Sequence, residues 1–400
     1  MSNTISRLGT ANMYDRTVNN LAERQAKLVN LMETTSSGKR VLRASDDPVA
    51  AAQAERARTR MSRTETDQRA LDSQVAIIKD GESTLGAANT ALQEFRALLV
   101  NAGNGSYTQT ERDALVAQLT SLRDQVAGYA NRQDSNGLPL FRSLGSAEQP
   151  LQGGSFLGQS GQTSSGINNI ASTLDGFAAF MNVPTGNGVL AVTMAANNAG
   201  KAWTDIGQII DPATASAVTT PIEIQFAVAA DGTTTYSLDG GATQQPYKDG
   251  EAITVAGMKL KITGTPAGGD SFSVAPSQRS DIFSVLDKAI GVVRDAGKLD
   301  GTTASGSLAH GLAKGLAELD SGMNRMQTVR GFAGDLLNRA DTIADNLGAR
   351  ALQLEGDRSS AEDIDIITAL SELKTQQTGY SAALQSYAQI QKLSLFDYIR

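Results

Sequence analysis

The chain has 400 residues, with 42 Asp and Glu against 35 Lys and Arg, one His and no Cys, giving a formal charge of −7. Without Cys there is no disulfide framework, thiolate zinc site or Cys nucleophile, and the single His310 excludes a multi-histidine metal site and argues against a Ser/His/Asp triad. The mild acidity argues against nucleic acid or an anionic membrane as main partner, and no stretch approaches the ~20 apolar residues that span a bilayer.

The opening residues lack the basic-then-apolar layout of a cleaved signal, yet the absence of Cys suits a protein that leaves the cytosol. Proline and charge divide the chain. Seven of the nine prolines lie from Pro150 to Pro276 and none follows. Residues 1–142 hold 18 basic and 16 acidic groups, residues 281–400 hold 12 and 16, and the stretch between holds 5 and 10. Two charged, nearly proline-free arms therefore flank an acidic Gly/Thr/Ser-rich insert, and helix interiors that reject proline can run long in both arms.

In chain order, Ala11, Tyr14, Val18, Leu21, Leu28 and Met32 form a first helical stripe. Pro48 after Asp46 and Asp47 marks a helix start, with carboxylates at the positive end of the dipole. Leu71, Ile78, Leu85, Leu92 and Leu99 then repeat every seven residues, the seam of a helix with a narrow apolar stripe. Asn101–Gly105 stops it, and Thr108 with Glu111 reads as a capping box for a helix with Leu115, Leu119, Leu122, Val126 and Tyr129 on its stripe. In the insert, Ile222, Ile224, Phe226 and Val228 alternate as in a strand, Asp231-Gly232 and Asp239-Gly240-Gly241 are turns, and residues 253–262 and 272–274 supply further strands. The last arm holds 3-4 spacing from Leu312 to Leu354, including Leu316, Leu319, Met323, Met326, Leu337 and Leu347. A break is expected at Gly356–Ser360, with Ser359 or Ser360 capping a helix that carries Ile366, Leu370, Leu373, Tyr380, Leu384 and Tyr387.

This pattern predicts a mainly α protein with an inserted β domain (α+β), its N- and C-terminal arms pairing as a long antiparallel helical or coiled-coil rod. Leu71, Ile78, Leu85, Leu92, Leu99, Leu316, Leu319, Met323, Met326, Leu337 and Leu347 are assigned to the rod core. The terminal stripes are only three to four heptads long and want partners, because short helices are marginal alone.

Chemistry is sought and not found. The Gly264–Asp270 run and Gly38-Lys39 lack a phosphate-loop pattern and read as turns. Asp46/Asp47 and Glu362/Asp363 are taken as helix-start carboxylates, Arg56, Arg58, Arg60 and Arg63 as a solvated or subunit-contacting face, and His310 as a surface residue. Trp203 is taken as core. No enzyme, cofactor or metal is predicted.

Two pieces of sequence carry a family resemblance. SSGKRVLRASDDPVA at 36–50 resembles the N-terminal signature of the flagellin superfamily, and LSLFDYI at 393–399 resembles the ending of its hook–filament junction branch, as does GDSFSV at 269–274 for the middle domain. The resemblance implies a structural component of the bacterial flagellum, exported through the flagellar type III system to the cell exterior and joining hook to filament by helical assembly. It implies a terminal coiled coil of 1–45 with 365–400 that is disordered in the monomer, a rod of 46–142 with 281–364, and an outward-facing insert of 143–280. Implied partners are a neighbouring hook-associated junction protein, flagellin, copies of the chain itself in a helical ring, and a cytosolic export chaperone on the C-terminal helix, with no nucleic acid or membrane. Tyr14, Val18, Leu21, Leu28, Leu373, Tyr380, Leu384, Tyr387 and Phe396 are the assembly contacts this implies. The alternatives are a flagellin filament subunit and a type III-secreted helical adhesin or effector.

Overall fold

The structure, a computed structural model, describes residues 10–144, 150–153, 155–159, 161, 164–165, 170–171, 173–296 and 304–398. Its helices are α1 (Thr10–Ser37), α2 (Pro48–Asn101), α3 (Gln109–Ala130), the single-turn α4 (Gly176–Phe180) and α5 (Pro212–Ser216), α6 (Ile282–Asp295), α7 (Ala304–Glu362) and α8 (Ile366–Tyr398). The chain divides into two compact units, residues 1–70 with 344–400 and residues 71–343. The division falls inside α2 and α7.

Local chemistry sets the helix ends. Asp47 Oδ1 accepts from the amides of Val49 and Ala50 at 3.1 and 3.0 Å, while Pro48 at the first position has no N–H to leave unpaired. At α3 the capping box forms both ways: the Glu111 amide donates to Thr108 Oγ1 at 3.4 Å and the Thr108 amide donates to Glu111 Oε2 at 2.7 Å. The break expected at Gly356–Ser360 lies instead between Glu362 and Ile366. A mid-helix glycine costs only about 1 kcal/mol, and the stronger signal is Asp365, whose carboxylate accepts from the Ile367 amide at 3.0 Å and the Thr368 hydroxyl at 2.8 Å.

In the unit 71–343, Leu71, Ile78, Leu85, Leu92 and Leu99 are all buried on α2. On α7, Leu319 and Met326 are buried, whereas Leu316, Met323 and Leu337 are half-buried and Leu336 is buried beside Leu337. The buried seam keeps the seven-residue repeat at Leu312, Leu319, Met326, Ala333 and Ala340, while its second row falls at Gly315, Gly322, Val329 and Leu336, one residue before the expected Leu316, Met323 and Leu337. Ion pairs Glu82–Arg330 (2.6 Å) and Arg96–Asp320 (2.7 Å) tie α2 to α7 in antiparallel order. Helix α3 packs on α6, joined by Arg123–Asp287 at 2.9 Å, with the Arg123 guanidinium 5.8 Å from the centre of the Phe283 ring.

The same unit carries the β-rich insert. Among the described residues, an antiparallel sheet orders Gln245–Pro246, Thr234–Ser237, Ile222–Val228, Ser271–Pro276 and Leu190–Met194. A second sheet pairs Ala252–Val255 with Met258–Thr263, which in turn pairs with Trp203–Thr204 and Gln208–Ile209. Ile224, Phe226, Leu260, Ile262, Phe272 and Val274 belong to one buried cluster. Val228, at the end of the expected alternation, is exposed, and Trp203 is half-buried. The 253–262 run folds back at Ala256-Gly257, both at positive φ (52° and 72°), the geometry of a two-residue hairpin turn.

Close approach of α7 to α6 depends on Gly311, where a Cβ would sit 2.6 Å from both methyls of Val292; at Gly331 nothing lies within 4 Å. Replacing a helical glycine by Ala should gain up to about 1 kcal/mol from propensity. At Gly311 that gain is overturned by a clash costing about 1–3 kcal/mol. Gly331→Ala is therefore expected to raise the denaturation midpoint and Gly311→Ala to lower it, measured by chemical unfolding of the full chain.

Candidate functional site

The family-like segment 36–50 occupies the turn between α1 and α2, and the structure lays it antiparallel against the turn between α7 and α8. Gly38, at φ 72°, ends α1 in the left-handed region. Its carbonyl accepts from the Ile364 amide at 3.0 Å, and the Arg40 amide donates to the Glu362 carbonyl at 2.7 Å. Lys39 and Asp363 form the bridge between these bonds. Arg40 adds a guanidinium bond to the Ala361 carbonyl (2.8 Å) and an ion pair to Asp47 (3.3 Å). Asp46 Oδ2 accepts from the Leu42 and Arg43 amides at 3.2 and 2.8 Å. The segment is thus bonded to α2's start on one side and to α7's end on the other.

At the centre of this joint lies Glu362, only 6% exposed. It closes the C-terminal end of α7, where the helix dipole disfavours a carboxylate. Three cations compensate: Lys39 at 2.5 Å, Arg58, which bonds both carboxylate oxygens, and Arg358 at 3.4 Å. Burial pushes the Glu362 carboxyl up, but hydrogen bonds from Lys39 and Arg58 and their charges outweigh it and hold the group below its ordinary value. The reading of Glu362 as a helix-start carboxylate is therefore corrected: it ends a helix and is held by an ion cluster. Arg58 stays on the solvated face expected for it, its side chain 43% exposed, while reaching Glu362, and Arg56 and Arg60 line a groove of about 540 Å³ with Arg40, Asp47 and Leu354. Sequence reasoning missed the cluster because Lys39 and Arg58 lie some 300 residues from Glu362 along the chain; the local signals were Arg358, one turn before it, and a carboxylate where a helix pattern ends.

Beyond the joint, α1 packs against α8. Leu21, Leu28, Leu373, Tyr380 and Tyr387 are half-buried there, whereas Val18 and Leu384 are 40% and 43% exposed. The side chains of Tyr14 and Phe396 lie outside the described residues. Leu347, assigned to the rod core, is half-buried in this unit, lining a second groove with Thr64, Gln68, Ala344 and Ala351. Val49, Leu352, Ile367 and Leu370 are exposed.

His310, expected at the surface, is instead 7% exposed; α7 turns it toward the insert, which a stripe reading of the helix alone does not reveal. Among the described residues no group of three or more acidic or His side chains is placed to hold a metal ion, and no helix is long and apolar enough to cross a membrane.

Comparison with known proteins follows the same two arms. The family model for the bacterial flagellin N-terminal helical region matches residues 8–145, and that for the C-terminal helical region matches 316–399, together more than half of the chain. The flagellar hook-associated protein 3 of Escherichia coli K12 is 25% identical over 399 residues, covering 98% of each chain. A flagellin of Escherichia coli O127:H6 is 24% identical over 348 residues, covering 80% of this chain and 63% of its own. Among solved structures, the flagellar junction protein FlgL from Legionella pneumophila matches with a TM-score of 0.63 and 26% identity, over 72% of this chain and 99% of its own.

Removing the charge at the centre of the joint should loosen it. Glu362→Gln leaves Lys39, Arg58 and Arg358 without their shared counter-ion. The expected cost is about 1–3 kcal/mol, below that of a fully buried pair because the cations remain partly exposed. The lowered carboxyl pKa also fixes a pH dependence: the stabilisation is complete above the unfolded value of 4.5 and is lost as pH falls through the folded one. Asp47, lowered mainly by the Ala50 amide, and Asp365, lowered mainly by the Thr368 hydroxyl, act in the same direction. Hydrogen exchange should show amide protection at Arg40 and Ile364 that is flat from neutral pH to about 4.5 and falls below it, with the wild-type advantage over Glu362→Gln vanishing at acid pH.

Proposed function

The chain belongs to the flagellin family, and we propose that it is a structural, non-catalytic component of the bacterial flagellum that joins the hook side to the flagellin filament. The observation that carries this reading is the end-to-end match, insert included, to a protein named flagellar hook-associated protein 3. Flagellins match over less of this chain, 80% for that of Escherichia coli O127:H6 and 85% for that of Clostridium tyrobutyricum, against 98% for the hook-associated protein. On this reading the chain works outside the cell, after export through the flagellar type III system. Its copies form a ring between a neighbouring hook-associated protein and flagellin, and a cytosolic chaperone covers the C-terminal helix before export.

The half-covered faces of α1 and α8 supply the mechanism. Two helices side by side bury only a strip of each, and a coiled coil of three or four heptads gains little from that strip alone. Residues 1–45 with 365–400 are then ordered in full by neighbouring subunits, whose contacts fall on Tyr14, Val18, Leu21, Leu28, Leu373, Tyr380, Leu384, Tyr387 and Phe396. Residues 46–142 with 281–364 serve as the rod, and the insert 143–280 faces outward.

Purified chain added to flagellin filament seeds is expected to add one limited layer and stop. Unlimited elongation would overturn the junction reading in favour of a filament subunit. Leu21→Asp should abolish attachment while leaving the unfolding transition of residues 71–343 unchanged. In the isolated chain, proteases should remove both ends before they cut the unit 71–343; ends as resistant as that unit would overturn assembly-coupled ordering and favour a self-sufficient secreted adhesin or effector.

A further inference from the structure

His310 is the chain's single imidazole, and it is set where, among the described residues, a charge has no counter-ion. It stands near the start of α7, and its Nδ1 lies 3.2 Å from the Thr204 carbonyl. A carbonyl only accepts, so Nδ1 carries the hydrogen and Nε2 is the bare nitrogen of a neutral ring. Nε2 is fully buried and has no hydrogen-bond partner. The Phe272 ring stands 6.0 Å away, centre to centre. One turn earlier, Gly306 brings α7 against the strand backbone so closely that a Cβ would meet the Ala202 carbonyl oxygen at 2.9 Å. The imidazole is therefore sealed beneath the helix.

Among the described residues the surrounding elements offer no counter-charge. Strands Leu190–Met194, Trp203–Thr204 and Ser271–Pro276 contain no charged residue. Asp205 Oδ1, just past one of them, accepts from the Gly207 and Lys261 amides at 3.1 and 3.0 Å. The Asp270 carboxylate accepts from the amides of Ala199, Gly200 and Ala267. On α7 itself Lys314, one turn on, has the wrong sign, and Glu318, two turns on, accepts from the Gly186 amide at 3.3 Å. Helix α6 meets α7 here through Val292, while its Arg294 and Asp295 are exposed.

We propose that His310 is an acid-sensitive latch: proton uptake at Nε2 drives the first turns of α7 off strands 190–194, 203–204 and 271–276, loosening the helix–sheet packing below neutral pH. Burial holds this imidazole below its ordinary value, with the Thr204 backbone pulling the other way, Lys314 lowering it further and the Val192 backbone raising it slightly. The folded state then binds fewer protons than the unfolded one. Stability is complete above the ordinary value of 6.5 and falls as pH drops below it.

The test uses the full chain. With one His, the imidazole signal in NMR is unique, and its titration in the wild type needs no mutant. Hydrogen exchange over residues 304–312 and 271–276 is followed from pH 7.5 to 5, for wild type and for His310→Gln, which keeps a donor for Thr204 but takes up no proton. The wild-type imidazole is expected to titrate below 6.5, and protection factors in these segments to fall by up to about tenfold per pH unit below that point. In His310→Gln they should stay flat, and in both proteins α3 should keep its protection. An imidazole titrating at or above its ordinary value, or equal pH slopes in wild type and variant, overturns the latch. Should the variant fail to fold, the wild-type titration and its coincidence with the loss of protection decide the matter alone.

Discussion

The buried carboxylate of Glu362 is the constraint on which the unit of residues 1–70 with 344–400 depends. Two chain reversals, α1 to α2 and α7 to α8, meet there, and most of the apolar side chains buried around them are small: Val41, Ala50, Ala54, Leu354, Ala361 and Ala369. Backbone bonds between residues 38–41 and 361–364 align them, but each such bond contributes only about 1 kcal/mol net. The ion cluster makes the alignment specific. A carboxylate at the negative end of a helix dipole is tolerable only when Lys39, Arg58 and Arg358 converge on it. These three come from the first turn, from α2 and from α7, so the charge is satisfied only when the turns are seated together.

From that joint the two kinds of stripe diverge in energy. The inner stripe on α2 is fully buried, and each such Leu or Ile contributes about 1.5–3 kcal/mol relative to exposure. The stripes of α1 and α8 are also helical in period but mix Val, Met and Tyr with Leu, are interrupted by Gln25 and Gln377, and remain half-covered or exposed. Two things therefore differ: the aliphatic content of the stripe and the number of helices available to cover it. The inner stripes lie in a unit that also holds α3, α6 and the insert, whereas the described contacts of α1 are with α8. Helical periodicity shared by both thus gives a closed core in one place and an open face in the other.

What could be read from the sequence follows from how local each signal is. The start of α2 at Pro48, the capping box of α3 and the alternation from Ile222 to Phe226 are all decided within a few residues, and they appear as read. The hairpin at Ala256-Gly257 escaped because its first residue is Ala, which rarely accepts positive φ; the tight packing of Gly257 beneath the Asp211 carbonyl holds the turn instead. The end of α7 was misplaced because glycine and serine are visible as breakers, whereas the ion cluster that ends it depends on residues 39 and 58. His310 was misassigned for the same reason: nothing near it in sequence says that the strand at Thr204 will cover it. The family resemblance located the 36–50 segment correctly as special, without revealing that the reason is a joint.

The glycines of α7 complete the argument. Gly311 and Gly322 sit where α6 side chains would collide with any Cβ, so their helix cost is offset by close packing. Gly331, Gly334, Gly348 and Gly356 have nothing within 4 Å and gain no such compensation. At about 1 kcal/mol each, they leave the later part of this long helix dependent on what grips it. Toward its end that grip is the Glu362 cluster. The helix is therefore anchored by packing at one end and by charge at the other, and the charge-held end loosens as pH falls below 4.5 and answers to whatever covers α1 and α8. A helix stabilised throughout by alanine would remain formed with or without that joint. With these glycines, ordering of the segment that leads to α8 is coupled to seating of the turn that follows α1.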